Sequence, residues 1–558
     1  MPHTTRILSL VRRSSVLPAL MLLSAGGMAA QDGGPAATAR HAATGAPGVE
    51  ADDVTFSRDI APILQRACVR CHRDNGVAPM PLVTYDDVEP YASMIARRTQ
   101  IRDRAGAMPP WYVEKDIGIQ HFKDDMSLDE WEIEALDAWR RAGAPEGDPA
   151  DLPPPLEFDD DVVWAAGEPD LIVKLPEVLV KGDSPDWWGD IESVPTGLTE
   201  DRYVKSVEIR EVNDVPQRRD GEHGGRHTVG GRFVVHHMIW STRVLEGQDT
   251  GPGASRASTD TGWPVHEVGR EPDLFDEEAG RLLRAGSSVV SNSVHLHSNG
   301  RDTRAHLEIG FRFHPEDYEP KYRRTILGLG NGSDIDIRPG VAGQELHAYK
   351  VLNQHTKLVT FEPHLHAPGM RMCLEAIWGF NVETLNCVGY DHNWVRGYTY
   401  AQDHQPLLPK GTVLHIIGYM DTSEANRNVP DTRNWQGSGN RSVANMFIDL
   451  GMRVEMSDEQ FVEEMAMRRH RLALGPNDHV VGCPLCMVIP ANGDMSYFAD
   501  AEWAEPGAAT EAESSGDGGT GSGDGRDRGG RRQGSSCPYR VPCPGSRGPG
   551  RRPCRSWR

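Results

Sequence analysis

The chain has 558 residues, too many for one hydrophobic core, so roughly two to four domains are expected. Its 38% hydrophobic and 25% charged residues are an ordinary soluble globular composition, neither fibrous nor disordered. A formal charge of −22 argues against a nucleic-acid partner and against docking on anionic lipid, and favours a small substrate or an electron-transfer partner.

The first thirty residues have the order of a signal peptide: Arg6, Arg12 and Arg13, an apolar stretch from Val16 to Leu23, then Gly27-Met28-Ala29-Ala30. The apolar part is too short to stay in a bilayer, and no later run approaches about 20 apolar residues. A periplasmic or secreted protein without stable membrane insertion is expected. Residues 31–51 are Ala/Gly/Thr-rich and read as a flexible lead-in.

Residues 52–150 carry helical signals and are expected to form a small all-α domain. Ser57 can cap a helix bearing Ile60, Ile63 and Leu64, which leads to Cys68. Ser127 and Glu130 suggest a capping box. After it Leu128, Trp131, Ala135, Ala138, Trp139 and Ala142 recur at helical spacing until Gly143 and Pro145. Pro153-Pro154-Pro155 marks a linker. Beyond it the pattern becomes short strands. In His306–Phe313, Leu307, Ile309, Phe311 and Phe313 share one face and Glu308 and Arg312 the other. Similar segments surround Val234, Leu358, Cys373, Val413 and Met446, so two all-β sandwich domains are expected in series, over 151–325 and 326–500. Ser457 to Leu474 looks helical. Residues 501–558, first acidic and Gly/Ser-rich and then Arg/Gly/Pro/Cys-rich, cannot bury a core.

Cys68-Val69-Arg70-Cys71-His72 has the spacing for covalent c-type haem. Two thiols one helical turn apart can add to the vinyl groups while His72 turns in to the iron. A zinc site is the rival reading, but no second C-x-x-C lies nearby. Met108 is the chosen second axial ligand, since it lies between the helical regions. Met80 is only eight residues past His72, and Met94 reads as core. A Met ligand raises the iron potential and suits electron transfer. In an oxidising compartment Cys373, Cys387, Cys483 and Cys486 allow three disulfide connectivities.

Three histidine groups follow. His236-His237 are adjacent, so two ligands to one metal would require a bulge or strand end. His295 and His297 precede Asn299-Gly300. His364 and His366, two apart, point the same way and can chelate one ion. Met446 lies on a later strand. Imidazoles with one thioether make a copper-type ligand set, the sulfur favouring Cu(I). No Cys accompanies them, which disfavours blue copper, and no carboxylate completes a facial triad near the H-x-H, which disfavours non-haem iron.

In the order H-H-M, single His, H-x-H and distant Met, residues from about 234 to 446 resemble the copper type II, ascorbate-dependent monooxygenases, the family of peptidylglycine α-hydroxylating monooxygenase and dopamine β-hydroxylase. His295-x-x-x-Asn299-Gly300 and Pro409-Lys410-Gly411-Thr412 also match that pattern. The resemblance implies two copper ions in two jelly-roll-like sandwiches. His236, His237 and His295 would hold the electron-relay copper, and His364, His366 and Met446 the oxygen-binding copper. It departs at Asn445, where the family usually has Glu, and in lacking dense disulfides, although Cys373 with Cys387 could form one hairpin bridge. The C-x-x-C-H and Met108-Pro109-Pro110-Trp111 motifs resemble cytochromes fused to such domains. The implied activity is insertion of one atom of O2 into a C–H bond of a small organic substrate. Electrons would come from an ascorbate-like reductant or another cytochrome, through the haem. The rival readings are a copper oxidase without oxygen insertion and a periplasmic haem/copper electron-transfer or copper-binding protein.

Overall fold

A computed structural model of the chain describes residues 53–486 apart from 74–75, 77, 79, 157–163, 216–231, 246–259, 327, 332–334, 436, 440–442 and 476–477. The expected signal peptide, lead-in and tail, with Cys537, Cys543 and Cys554, lie outside the described residues. The protein is mostly β-sheet with few, short helices. Among the described residues no helix is long and apolar enough to cross a membrane.

The helical unit packs Phe56–Ile60 and Ala61–Ala67 against Ala92–Thr99 and Glu130–Arg141. Phe56, Ile60, Leu64, Val88, Leu136 and Trp139 form its core. The caps differ from those expected. Thr55, not Ser57, caps the first helix, while Ser57 is buried and donates to the Glu146 carbonyl at 2.9 Å. The capping box of the last helix is Asp129 with Glu132, not Ser127 with Glu130. Glu132 is buried there because it also pairs with Arg66 at 2.5 Å. Trp131 and Met94 are exposed rather than core, because Ile133 and Ile95 take the inward positions.

The expected 52–150 domain is interrupted. Trp111, Val113, Ile119, Phe122 and Met126 leave the helical core and join that of the second sandwich. Glu114 N–H donates to the Cys387 carbonyl at 2.9 Å, Ile119 N–H to Leu385 at 2.8 Å, and Lys123 N–H to Thr399 at 2.8 Å. This strap has too many large apolar side chains for a linker, and burying each stabilises by about 1.5–3 kcal/mol.

In the first sandwich, Leu171–Lys174, Thr303–Phe313, Arg202–Asn213 and Asp273–Leu274 form one sheet, extended by Val178–Val180 and Arg281–Leu283. The facing sheet contains Trp187–Pro195, Ser288–Leu296, Val235–Arg243 and Asp260–Gly262, with His266–Glu267 also paired to Val235–Arg243. Val207, Ile309 and Phe311 meet Met238, Trp240 and Val294 in the core. The alternation of Leu307, Ile309, Phe311 and Phe313 is buried as the period of two requires.

The second sandwich sets Gln344–Val351, Val413–Met420, Gly369–Trp378 and Asn381–Gly389 against the small sheet Leu329–Asn331, Phe447–Asp449 and Pro363–Leu365. A third sheet, Arg323–Ile326, Met452–Met456, His355–Leu358 and Leu407–Leu408, adds Leu407, Met452, Val454 and Met456 to the first sandwich's core. The buried pair Lys357–Asp276, at 2.8 Å, spans the same junction. Cys373 and Cys387 are direct cross-strand partners joined by a disulfide, and Cys483 bonds Cys486. The last helix, Asp458–Arg471, is capped by Ser457.

His355 stacks on Phe461 of that helix, with ring centres 4.1 Å apart. It accepts from Lys410 N–H at Nδ1 (3.2 Å), so Nε2–H faces Asp458 at 3.0 Å. Burial holds the ring down to about 4 from 6.5. The unfolded chain therefore takes up this proton first as pH falls. The resulting penalty is absent above pH 6.5, grows on acidification and is complete below about pH 4. His355→Asn, which cannot take up that proton, should flatten the fall in stability over this window, measured by urea unfolding at each pH.

Candidate metal centre

The two histidine-bearing strands of the first sandwich are neighbours, with His295 directly opposite His237. The next pair is Leu296 with Val235, so His236 is an extra residue in a β-bulge. A bulge re-aims a side chain that an ideal strand would send to the opposite face, which answers the requirement posed by the adjacent histidines. His236, His237 and His295 each offer a ligand atom within 4.8 Å of the others. Among the described residues they form the only cluster of three His, Cys, Asp or Glu donors.

His295 is sandwiched against Trp188, with ring centres 3.7 Å apart. Its Nε2 faces Asp186 at 3.2 Å, leaving Nδ1 buried without a hydrogen-bond partner. His297 is instead tied to the Phe233 carbonyl through Nε2 at 3.0 Å. The Asn299-Gly300 signal is a turn: buried Asn299 bonds Thr303 at 2.9 Å, and Gly300 has φ +87°. Pro409–Thr412 is also a turn, with Gly411 at φ +87°.

His364 and His366 bring their Nε2 atoms to 3.2 Å. Two nitrogens about 2.0 Å from one tetrahedral ion would stand about 3.3 Å apart, so the pair is spaced for a shared ion. His364 is paired with Ile448 and Leu365 with Phe447. The paired register ends there, so His366 and Met446 each lie one residue beyond it, at the same end of the two strands. Met446 is half-buried, and the buried Asn445 before it is bridged to Ser438.

Glu267, Arg270 and His392 were missed in the sequence. Glu267, the cross-strand partner of His237, stands 2.8 Å from His364 Nδ1. It meets the ring on the side away from His366, where it orients the imidazole instead of sharing the chelating face. Arg270, also buried, reaches Glu362 and Asp273 at 2.5 and 2.6 Å. His392 places its ring 5.5 Å from that of His236. Each is a single polar residue distant in sequence from its partner, and no periodicity or motif marks it.

Burial governs protonation here. It pushes His295 and His366 down to about 2 and His236 well below its ordinary value, aided by neighbouring imidazoles. His237 is lowered as well. His364 is the exception: burial opposes its charge, but Glu267 raises it. Burial likewise opposes charge on Glu267, yet His364, His237 and His236 hold its carboxyl well below the usual range. The neutral imidazoles have free lone pairs, the form that binds metal. Buried Nδ1 atoms of His236, His295 and His366 without hydrogen-bond partners fit that use.

In the helical unit His72 N–H donates to the Cys68 carbonyl at 2.9 Å, so the motif closes as one helical turn. Cys68 and Cys71 are free thiols. Burial pushes Cys68 up to about 12 and raises Cys71, with Glu271 adding to the latter. His72 Nδ1 bonds the Met80 carbonyl at 3.0 Å, leaving Nε2 for a metal. Met80 thus acts on His72 through its backbone. Met108 is exposed between Ala92–Thr99 and the strap, its N–H donating to the Arg98 carbonyl at 3.2 Å. The motif forms no metal cluster with a further His, Cys, Asp or Glu among the described residues.

No protein-family model matches the chain, and no curated protein matches it. One of the solved structures it resembles, of the infectious bursal disease virus Gt strain, is 10% identical over 55% of this chain and 74% of that one, with a TM-score of 0.11. That level of likeness carries no argument.

The H-x-H strand is held to the Met446 strand by Asp449, which accepts from Glu362 N–H at 3.1 Å and Gly451 N–H at 2.9 Å and pairs with the fully buried Arg453. Asp449→Ala should destabilise the protein by about 3–5 kcal/mol, because Arg453 is left charged and unpaired. The urea midpoint should fall accordingly. A loss below about 1 kcal/mol would mean that this pair does not hold the two strands together.

Proposed function

We propose that the protein is a copper-dependent monooxygenase whose attached c-type cytochrome unit supplies electrons. The observation that supports this most is the occurrence of two buried, mostly neutral imidazole sets at one junction between sandwiches. One is a triad on a bulge; the other is an i, i+2 pair, with the Met446 thioether on the residue just before the strand paired to it. In this reading His236, His237 and His295 hold the electron-relay copper, and His364, His366 and Met446 hold the oxygen-binding copper. Cys68 and Cys71 would hold the haem covalently, and His72 and Met108 would ligate its iron. The two disulfides suit the periplasmic or secreted location implied by the leader.

Copper supplies O2 activation and one-electron chemistry when bound, and haem supplies electron transfer. The net reaction places one oxygen atom in a C–H bond of a small organic substrate. The other leaves as water, with two protons and two electrons from an ascorbate-like reductant or a partner cytochrome. The chain's own part is preorganisation. Glu267 fixes the ring of His364 through Nδ1, and Arg270 anchors Glu362 two residues before it. Trp188 stacked on His295 limits water on that side, and Met80 fixes the His72 ring through its carbonyl. Burial keeps His236, His295 and His366 deprotonated, so a metal need not compete with protons there.

Haem should remain on the denatured chain in a gel and resist acid–acetone extraction. Met108→Ala should alter the axial spectrum while the haem stays attached. An unchanged Met–His spectrum would remove Met108 from the assignment.

Met446→Ile keeps bulk and apolar character, so a merely structural methionine should tolerate it at less than about 1.5 kcal/mol. We expect it to abolish incorporation of oxygen-18 from O2 into product while His364 and His366 still bind copper. X-ray absorption of the reduced protein should lose its copper–sulfur contribution. Persistence of that signal would put the ligand elsewhere. Wild-type turnover without oxygen-18 in the product would favour an oxidase, and no turnover in a broad substrate screen would favour a carrier.

A further inference from the structure

Strand Asn381–Gly389 of the second sandwich ends in a turn carrying His392. We propose that His392 is a fourth ligand of the metal held by His236, His237 and His295, so that this centre is built by both sandwiches. The inference rests on the copper reading of the triad but adds a residue that neither the motif order nor the three-histidine cluster includes.

The first support is spacing. The ring centres of His392 and His236 are 5.5 Å apart. Within the triad the corresponding distances are 4.9 Å for His236–His295, 5.4 Å for His237–His295 and 6.2 Å for His236–His237. Imidazoles around one tetrahedral ion, with metal–nitrogen bonds of about 2.0 Å, have ring centres about 5 Å apart. His392 therefore stands to His236 at the triad's spacing; His297 does so too, at 5.4 Å, but its Nε2 is already bonded to the Phe233 carbonyl.

The second is an unsatisfied donor set. Nδ1 of His392 is buried without a hydrogen-bond partner, as are Nδ1 of His236 and His295. Leaving such buried atoms unpaired is unfavourable, and a shared ion would remove that cost.

The third is that the turn is held in place from several sides. Asp391 accepts from Asn393 N–H at 2.9 Å and, through its carbonyl, from Trp394 N–H at 3.0 Å. Its other oxygen accepts from Gly106 N–H at 3.0 Å and Tyr112 O–H at 3.4 Å. From the first sandwich, Gly269 packs directly on Trp394. A Cβ on Gly269 would stand 2.4 Å from that ring, and its φ is +89°. The segment bearing Met108 and the segment bearing Glu267 thus both press on the turn that presents His392. A ligand held this firmly loses little freedom when it binds.

The test uses full-length haem-loaded protein with His364→Ala and His366→Ala, so that only the triad copper remains. His392→Gln and His392→Ala are compared with this parent by Cu(II) X-ray absorption and electron paramagnetic resonance, and by competition with a chelator. The parent should show four imidazoles per copper and the variants three, with copper affinity weaker by on the order of 10–100-fold. Metal-free thermal midpoints show that the variants are folded; if the Ala variant is not, the Gln variant decides. Three imidazoles in the parent, or unchanged spectra and affinity in the folded variant, would overturn the fourth ligand while leaving the triad intact. A parent that binds no copper would instead overturn the copper reading of the triad, and the inference with it.

Discussion

The arrangement of the candidate centre depends on two buried charge contacts across one junction: Glu267 with His364, and Arg270 with Glu362. Both partners from the first sandwich lie on or just after the short strand His266–Glu267, and both from the second lie on or just before Pro363–Leu365. Buried ion pairs add little net stability, because desolvation offsets much of their attraction, but a wrong alignment would leave a bare charge inside the protein. They therefore act on register. A slip of one residue between the sandwiches would separate Glu267 from His364 and Arg270 from Glu362 together.

Local backbone irregularity does the rest. An unbroken strand would turn His236 away from His237, and the extra residue opposite the Val294–Leu296 stretch brings both to one centre. His364 and His366 need no such device, since a period of two already aligns them. The two sites are thus built by different means, a bulge in one and regular pleating in the other. Burial then keeps most of the rings neutral, while Glu267 sets His364 apart.

The helical unit is joined to this assembly by more than a linker. The strap from Trp111 to Met126 lies in the second sandwich's core, and Arg232 of the first donates to the Gly76 carbonyl of the haem-motif loop at 2.8 Å. Glu271, close enough to Cys71 to raise its thiol, also pairs with buried Arg396 at 2.8 Å. The C-x-x-C-H turn is thereby tied to both sandwiches.

Features set by neighbours along the chain were legible in the sequence. They include the alternation of Leu307 to Phe313, the helix beginning near Ser457, the pairing geometry of His364 with His366, the helical turn of Cys68 to His72, and the need for a bulge at His236. Each follows from a period or a spacing that the backbone imposes locally. Where two local solutions compete, tertiary contacts decided. Glu132 is drawn to Arg66, so the capping box forms at Asp129 and not at Ser127. The apolar run from Trp111 to Met126 found a second core and divided the expected helical domain. Glu267, Arg270 and His392 were illegible because a single polar residue has no period, and its partner lies far along the chain. Their meaning comes only from burial beside a charge or lone pair supplied by the other sandwich. The sequence by itself determined which side chains could act as ligands; the packing of two sandwiches decided which of them meet, because a buried polar group must find a partner wherever the fold leaves it.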